Sequence, residues 1–288
     1  MDLKMEKQSP NPEIRNMPCL CGSDRKHRYC CGKAVPANKD ISNIFVSHEA
    51  KKIIFVSKNI VINQLKRDFP KVAASFDSAI GDDLIQVSDL VGKAYSILTP
   101  RFVQADFFDQ NRAPTCARLL NTAMTTLLGC IHLARGGYRL QCMSLSRGIL
   151  ETVSTVINLM AEPNATEAFH AGKLQSTKSI GIAKKVIPDF GRIYGYFSNE
   201  YVHIGSMHTN LNQTTPYEKG DEALWVIRLT MRMMSWLLFV AAELAFVEEL
   251  EHTRYWKIVG QRETGNEIAY SPSDEELKWQ TKYFEGVV

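Results

Sequence analysis

The chain has no long apolar run. Its most apolar stretch, Met233 to Val247, is broken by Glu243 and bounded by Arg232 and Glu248, and it is shorter than the roughly 20 residues a bilayer requires. It reads as a buried bundle helix, and no membrane span is expected. Residues Met1 to Met17 are polar and have no apolar core, so they do not read as a secretory signal. There is little excess charge: a formal net charge of +3 is too small by itself to argue nucleic-acid binding. No Gly-x-x-x-x-Gly-Lys-Ser/Thr loop is present, which excludes a P-loop nucleotide site. Internal repeats and low-complexity tracts are missing too. With 45% hydrophobic and 23% charged residues, the 288-residue chain has the composition of a globular protein, long enough for one large core or two modest ones.

Cysteine is where the sequence becomes informative. Four of the seven cysteines fall between Cys19 and Lys33, spaced Cys-x-Cys, eight residues, then Cys-Cys. Soft thiolates at such spacing suit zinc in a closed tetrahedral site. Cys19 and Cys21 place two sulfurs on one tight turn, and the intervening chain is long enough to bring Cys30 and Cys31 back to the other side. Gly22 and Gly32 follow the two pairs, where the backbone must turn sharply. So small a unit has no apolar core, so metal binding must supply most of its folding free energy. The competing reading, a disulfide pair, needs an oxidising compartment that nothing in the sequence supplies. Arg25, Lys26, Arg28 and Lys33 surround the ligands, with His27 among them and Asp24 against them. Such a cationic knob favours an acidic partner, a phosphate backbone or a lipid headgroup.

These residues resemble the SEC-C motif, the short zinc-binding tail of the preprotein translocase ATPase family. Cys19, Cys21, Cys30 and Cys31 match its four ligands, and Gly22, Ser23, Lys26, Tyr29, Gly32 and Lys33 match its frame. Leu20 stands where that motif usually has proline, and Asp24 where it usually has glycine. The resemblance covers residues 17–34 and implies one structural Zn2+ in a module that docks a larger body onto a protein or ribonucleoprotein partner.

The remaining pattern is helical. Residues 1–16 are expected as a disordered arm, 17–34 as the knuckle, 35–40 as a linker around Pro36, 41–253 as a helical bundle, and 254–288 as a C-terminal extension. Lys51–Val56 suits either a strand or a helix, and Ser57–Phe69 reads as helical. Leu84, Val87, Val91, Tyr95 and Leu98 share a helical face over 82–98, with Pro100 as the expected stop. Pro114 opens a helix over 115–135, Gly136 and Gly137 end it, and a second helix spans about 138–161, which makes an antiparallel hairpin. Asn164 is expected to cap the next helix. Shorter helices are expected at 166–175, 178–186 and 188–203, then a loop and a long apolar helix at 222–251. A hairpin around Thr264-Gly265-Asn266 and a last helix over Ser273–Tyr283 complete the chain. The predicted fold class is therefore all-α. Cys116, Cys130 and Cys142 fall in helical patterns as core thiols, which with the missing signal points to a reducing cytoplasm. The apolarity of 222–251, with Trp225, Trp236, Phe239 and Phe246, leads us to expect a homodimer through bundle helices.

Arg147 and Glu151 stand four apart among apolar neighbours, so they share one helix face. Bracing of the bundle is the first reading of such a pair. A second is a polar cleft completed by Tyr194 to His203. Arg147 and Glu151, followed on a later helix by Ser198 and His203, resemble a bacterial helical family known only as a domain of unknown function, whose layout over about 115–250 is similar to HEPN nucleases. The HEPN signature sets arginine four to six residues before histidine. Here Arg192 precedes His203 by ten intervening residues, so a fit requires Arg147 to approach His203 in space. In that alternative, a metal-independent ribonuclease acting in a toxin or phage-defence role, His203 takes the 2′-hydroxyl proton and Arg147, held by Glu151, stabilises the charged phosphorane. Tyr201 or Ser198 positions the phosphate. Glu200 and His203 have the three-residue spacing of a di-metal helix, but no second Glu-x-x-His accompanies them. Docking through the basic knuckle explains the same residues with fewer assumptions than catalysis.

Overall fold

The computed structural model describes residues 16–19, 24–30, 40–47, 52–104, 109–209, 214–218, 220–262 and 265–285. The chain divides into two compact units, Met1–Asp68 and Phe69–Val288.

In the first unit a 3-10 turn at His27–Tyr29 precedes an antiparallel hairpin of β1 (Ile41–Ser47) and β2 (Lys52–Ser57). A helical turn at Ile60–Asn63 and a π-helical segment at Gln64–Asp68 follow. The bundle expected from residue 41 therefore begins at Phe69. Ile44, Phe45 and Val46 stand in register with Phe55, Ile54 and Ile53. These β-branched and aromatic residues favour the extended chain, which resolves the strand-or-helix ambiguity at 51–56 in favour of a strand.

The second unit is a helical bundle. Its helices are α1 (Phe69–Gln104), α2 (Arg112–Arg135), α3 (Arg139–Ala161), α4 (Ala165–His170), α5 (Ser176–Val186), α6 (Phe190–Phe197), α7 (Glu222–Ala245) and α8 (Asp274–Phe284). A second hairpin, β3 (Trp256–Arg262) with β4 (Gly265–Tyr270), lies between α7 and α8 in sequence. Helices α1, α2, α3 and α7 pack against one another around the core, α5 and α6 cover α3, and α8 lies on α7. Phe76, Leu90, Leu120, Met124, Ile149 and Leu237 are fully buried there.

The α2–α3 hairpin turns where expected, and the glycines explain its tightness. Gly137 has φ +82°, and a Cβ at Gly136 would stand 2.7 Å from the Phe69 ring. Both positions thus need glycine, one for its backbone angle and one for the close approach of α1. Cys116, Cys130 and Cys142 are buried, as their helical setting suggests. Burial pushes the Cys116 thiol up to about 12.

Several boundaries differ from expectation. Helix α1 carries the helix expected over 82–98 back to Phe69 across a kink at Ile80 (φ −131°) and runs through Pro100 to Gln104. A proline near a helix end forfeits one backbone bond without unwinding the last turn. Asn164 makes no side-chain cap to α4, which ends at His170 rather than 175. Helix α7 ends at Ala245 rather than 251. Its N-terminus is capped by Asp221, whose carboxylate accepts from the Ala223 amide and also holds Arg139 at 2.7 Å.

The segment from residue 254 onward differs from an extension. The hairpin and helix form as expected, but they belong to the bundle: Tyr255 and Trp256 are buried. Glu243 of α7, itself buried, accepts from the backbone amides of Arg254 and Tyr255 at 3.0 Å, and the Trp256 indole donates to the Val240 carbonyl at 2.7 Å. Buried Asp83 accepts from Arg228 and Arg232 at 2.7 and 2.8 Å, and Arg232 also donates to the Tyr283 carbonyl, which ties α1, α7 and α8 together. Helix α7 is long and apolar enough to cross a membrane, yet 67% of its most apolar window is buried inside the bundle. Trp236, Phe239 and Phe246 are spent on that core, and Trp225 alone of the four aromatics cited for dimerisation is exposed.

Candidate functional site

Two sets of sequence-predicted residues require placement. Of the four knuckle cysteines, Cys21 and Cys31 lie outside the described residues; Cys19 and Cys30 lie within them. The chain folds back on itself here. The Cys19 amide donates to the Arg25 carbonyl at 2.6 Å, the His27 amide donates to the Met17 carbonyl at 2.9 Å, and Pro18 bridges Lys26. The 3-10 turn then delivers Cys30, whose amide donates to the His27 carbonyl at 3.1 Å. Asp24, at the reversal, has φ 57°. Aspartate is one of the few residues besides glycine that tolerate this region, which fits its standing where the related motif has glycine.

Cys19 is buried, with its Sγ 3.7 Å from the Nδ1 of His27. Arg25 and Lys26 are exposed, and the Arg28 guanidinium lies 4.5 Å from the Tyr29 ring centre. Among the described residues no group of three or more histidine, cysteine or acidic side chains could hold a metal ion. The fold-back puts Cys19 beside the 3-10 turn that leads to Cys30.

The second set lies between α3 and α6, and the structure brings it together as two groups. In the first, the Tyr194 hydroxyl accepts from the Arg147 guanidinium at 2.6 Å and lies 3.3 Å from Glu151 Oε1, to which it donates. Arg147 and Glu151 are themselves 2.9 Å apart. Tyr194, first, and the charge of Glu151 raise the Arg147 pKa further. In the second group, Ser198 Oγ lies 3.3 Å from His203 Nε2, with Ser198 buried and His203 exposed. Helix α6 passes directly into a π-helical segment, Ser198–Val202, a distortion frequent at functional sites.

Ser144, outside the sequence-predicted set, and Tyr196, within the Tyr194 to His203 stretch, complete this surface. Ser144, one turn before Arg147 on α3, donates to the Tyr201 carbonyl at 2.6 Å. The hydroxyls of Tyr196 and Tyr201 are 2.9 Å apart, and burial, then that hydrogen bond, raises the Tyr201 pKa well above its usual range. A serine flanked by leucine on a helix carries no sequence signal for such a contact. These contacts also fix direction: Arg147 meets Tyr194 and Ser144 meets Tyr201, so α3 and α6 run antiparallel. Among the described hydrogen bonds and ion pairs, none joins Arg147 or Glu151 to His203. Glu200 is exposed, as is His203.

Comparisons of the chain with protein-family models, curated proteins and solved structures return no match. The two resemblances therefore rest on their motif residues.

Proposed function

We propose that this protein is a zinc-binding docking protein, in which a basic knuckle at residues 17–34 attaches the helical bundle to an acidic protein or ribonucleoprotein partner in a reducing cytoplasm. The observation that carries the reading is the fold-back of 17–19 onto 25–30, with Cys19 buried beside the turn that leads to Cys30. One structural Zn2+ would be held by Cys19, Cys21, Cys30 and Cys31. With four protein ligands it would have no open position, so it would stabilise the knuckle rather than act as a Lewis acid. The exposed Arg25 and Lys26 would make the contact, which therefore weakens with salt. The test is partner capture by the full chain and by the full-length Arg25→Glu/Lys26→Glu variant. We expect capture from the wild type that declines with ionic strength and is lost in the variant while its zinc content is retained. Equal capture by both would reduce the knuckle to a structural cap.

The Ser198–His203 contact at the π-helical segment favours a second reading, RNA cleavage with His203 as the base. Arg147 is its weak point, because Tyr194 and Glu151 already occupy the guanidinium. Incubation of the wild type and a folded His203→Ala variant with single-stranded RNA decides the matter. Cleavage by the wild type that His203→Ala loses would establish it; no cleavage, or equal cleavage, leaves the docking reading alone.

A further inference from the structure

A cleft of about 670 Å3 opens between α6, α7, β4 and α8, mostly on residues that neither reading above uses. Its walls are apolar. Helix α6 contributes Ile193 and Tyr196, α7 contributes Trp225 and Leu229, β4 contributes Tyr270, and α8 contributes Phe284. Tyr196 and Trp225 are 46% and 43% exposed. Large aromatic side chains left this open around a concave surface mark a place where something else is meant to bury them.

The size of the cleft narrows the occupant. Sites for single small molecules run from about 300 to 1,000 Å3. The cleft falls within that range.

The distribution of polar groups narrows it further. The face that α6 turns to the cleft changes character along its length: Asp189 and Arg192 lie at its start, Tyr196 and Phe197 at its end. The Arg192–Asp189 contact is long, 3.4 Å, and both side chains are largely exposed, at 80% and 62%. Most of the guanidinium donors therefore remain available, and their planar fork suits a carboxylate. The Tyr270 hydroxyl has no hydrogen-bond partner among the described residues. Burial, and then the nearby charge of Glu276, pushes its pKa up to about 12, so it stays protonated.

We propose that this cleft binds a small amphipathic monocarboxylate, its alkyl chain lying between the aromatic walls and its carboxylate on Arg192. Titration calorimetry of the full chain with dodecanoate, below its micelle concentration, tests this against dodecylammonium, which has the same chain and the opposite charge. We expect saturable binding of one dodecanoate per chain and at least tenfold weaker binding of dodecylammonium. Arg192→Ala, at an exposed position that leaves the fold intact, should erase that preference. Leu229→Trp, which fills the cleft, should abolish binding. No saturable dodecanoate binding, equal binding of the two head groups, or unchanged binding in a folded Leu229→Trp variant would overturn the proposal. So would sedimentation showing a dimer that Leu229→Trp breaks, since the cleft would then belong to a second copy of the chain.

Discussion

Tyr194 is the residue on which the Arg147–Glu151 pair depends. Its hydroxyl accepts from the guanidinium and donates toward the carboxylate, so one side chain on α6 fixes both charges on α3. An exposed i,i+4 pair alone contributes only about 0.3–0.5 kcal/mol, and Arg147 and Glu151 retain 26% and 36% of their side-chain exposure. The hydrogen bond across the two helices is the larger contribution. Tyr194→Phe keeps the ring and removes the hydroxyl, and we expect a loss of about 1 kcal/mol, read as a lower urea midpoint with an unchanged slope. An unchanged midpoint would mean that the pair is held by solvent and not by α6. Arg147 and Glu151 are legible in the sequence, because their spacing places them on one face. Their partner is legible only as one member of a ten-residue stretch, since the pairing of α3 with α6 is a tertiary fact that local periodicity does not carry. For the same reason the sequence can state the approach of Arg147 to His203 as a condition of the nuclease reading but cannot judge it, because that approach is a tertiary fact too.

At the scale of elements, the junction between α7 and the C-terminal hairpin holds the most informative charge. Glu243 is buried, and burial raises its pKa from the ordinary 4.5, although the Arg254 and Tyr255 amides pull the other way. The sign follows from linkage. Between the unfolded and folded pKa values the folded chain binds the proton more tightly, so stability falls as pH rises through that window. Glu243→Gln removes the titrating group and keeps an acceptor for the amides. We therefore expect the variant to lack this fall, so that its melting temperature gains on the wild type as pH is raised from 4.5. Identical pH profiles for the two proteins would show that Glu243 ionises as freely in the fold as in the unfolded chain. The elements themselves are largely readable. The Gly136–Gly137 turn, the α2–α3 hairpin, the β3–β4 hairpin and α8 stand where apolar periodicity and turn residues put them. Attachment is what the sequence does not carry. Tyr255, Trp256 and Glu243 are ordinary in sequence, and only their burial makes the last segment part of the bundle instead of an appendage. The hairpin at 41–57 passes for the start of a bundle because its short apolar runs suit a strand and a helix equally.

At the scale of the whole molecule there are two units with different sources of stability. The unit from Phe69 onward carries the large core and the buried Asp83–Arg232 pair. Among its described residues the first unit offers a two-stranded hairpin and the fold-back before it, and isolated hairpins are marginal in water. A bound metal is the remedy small units of this kind use, and the density of thiols between Cys19 and Cys31 is the one feature of the sequence that announces it. The zinc proposal thus rests on cysteine spacing, and the docking proposal on the exposed basic residues around it. The most direct measurement is the metal content of the purified full chain beside a Cys30→Ser/Cys31→Ser variant. The account predicts one zinc per chain in the wild type and its loss in the variant; a wild type without stoichiometric zinc, or a variant that keeps it, would contradict the account.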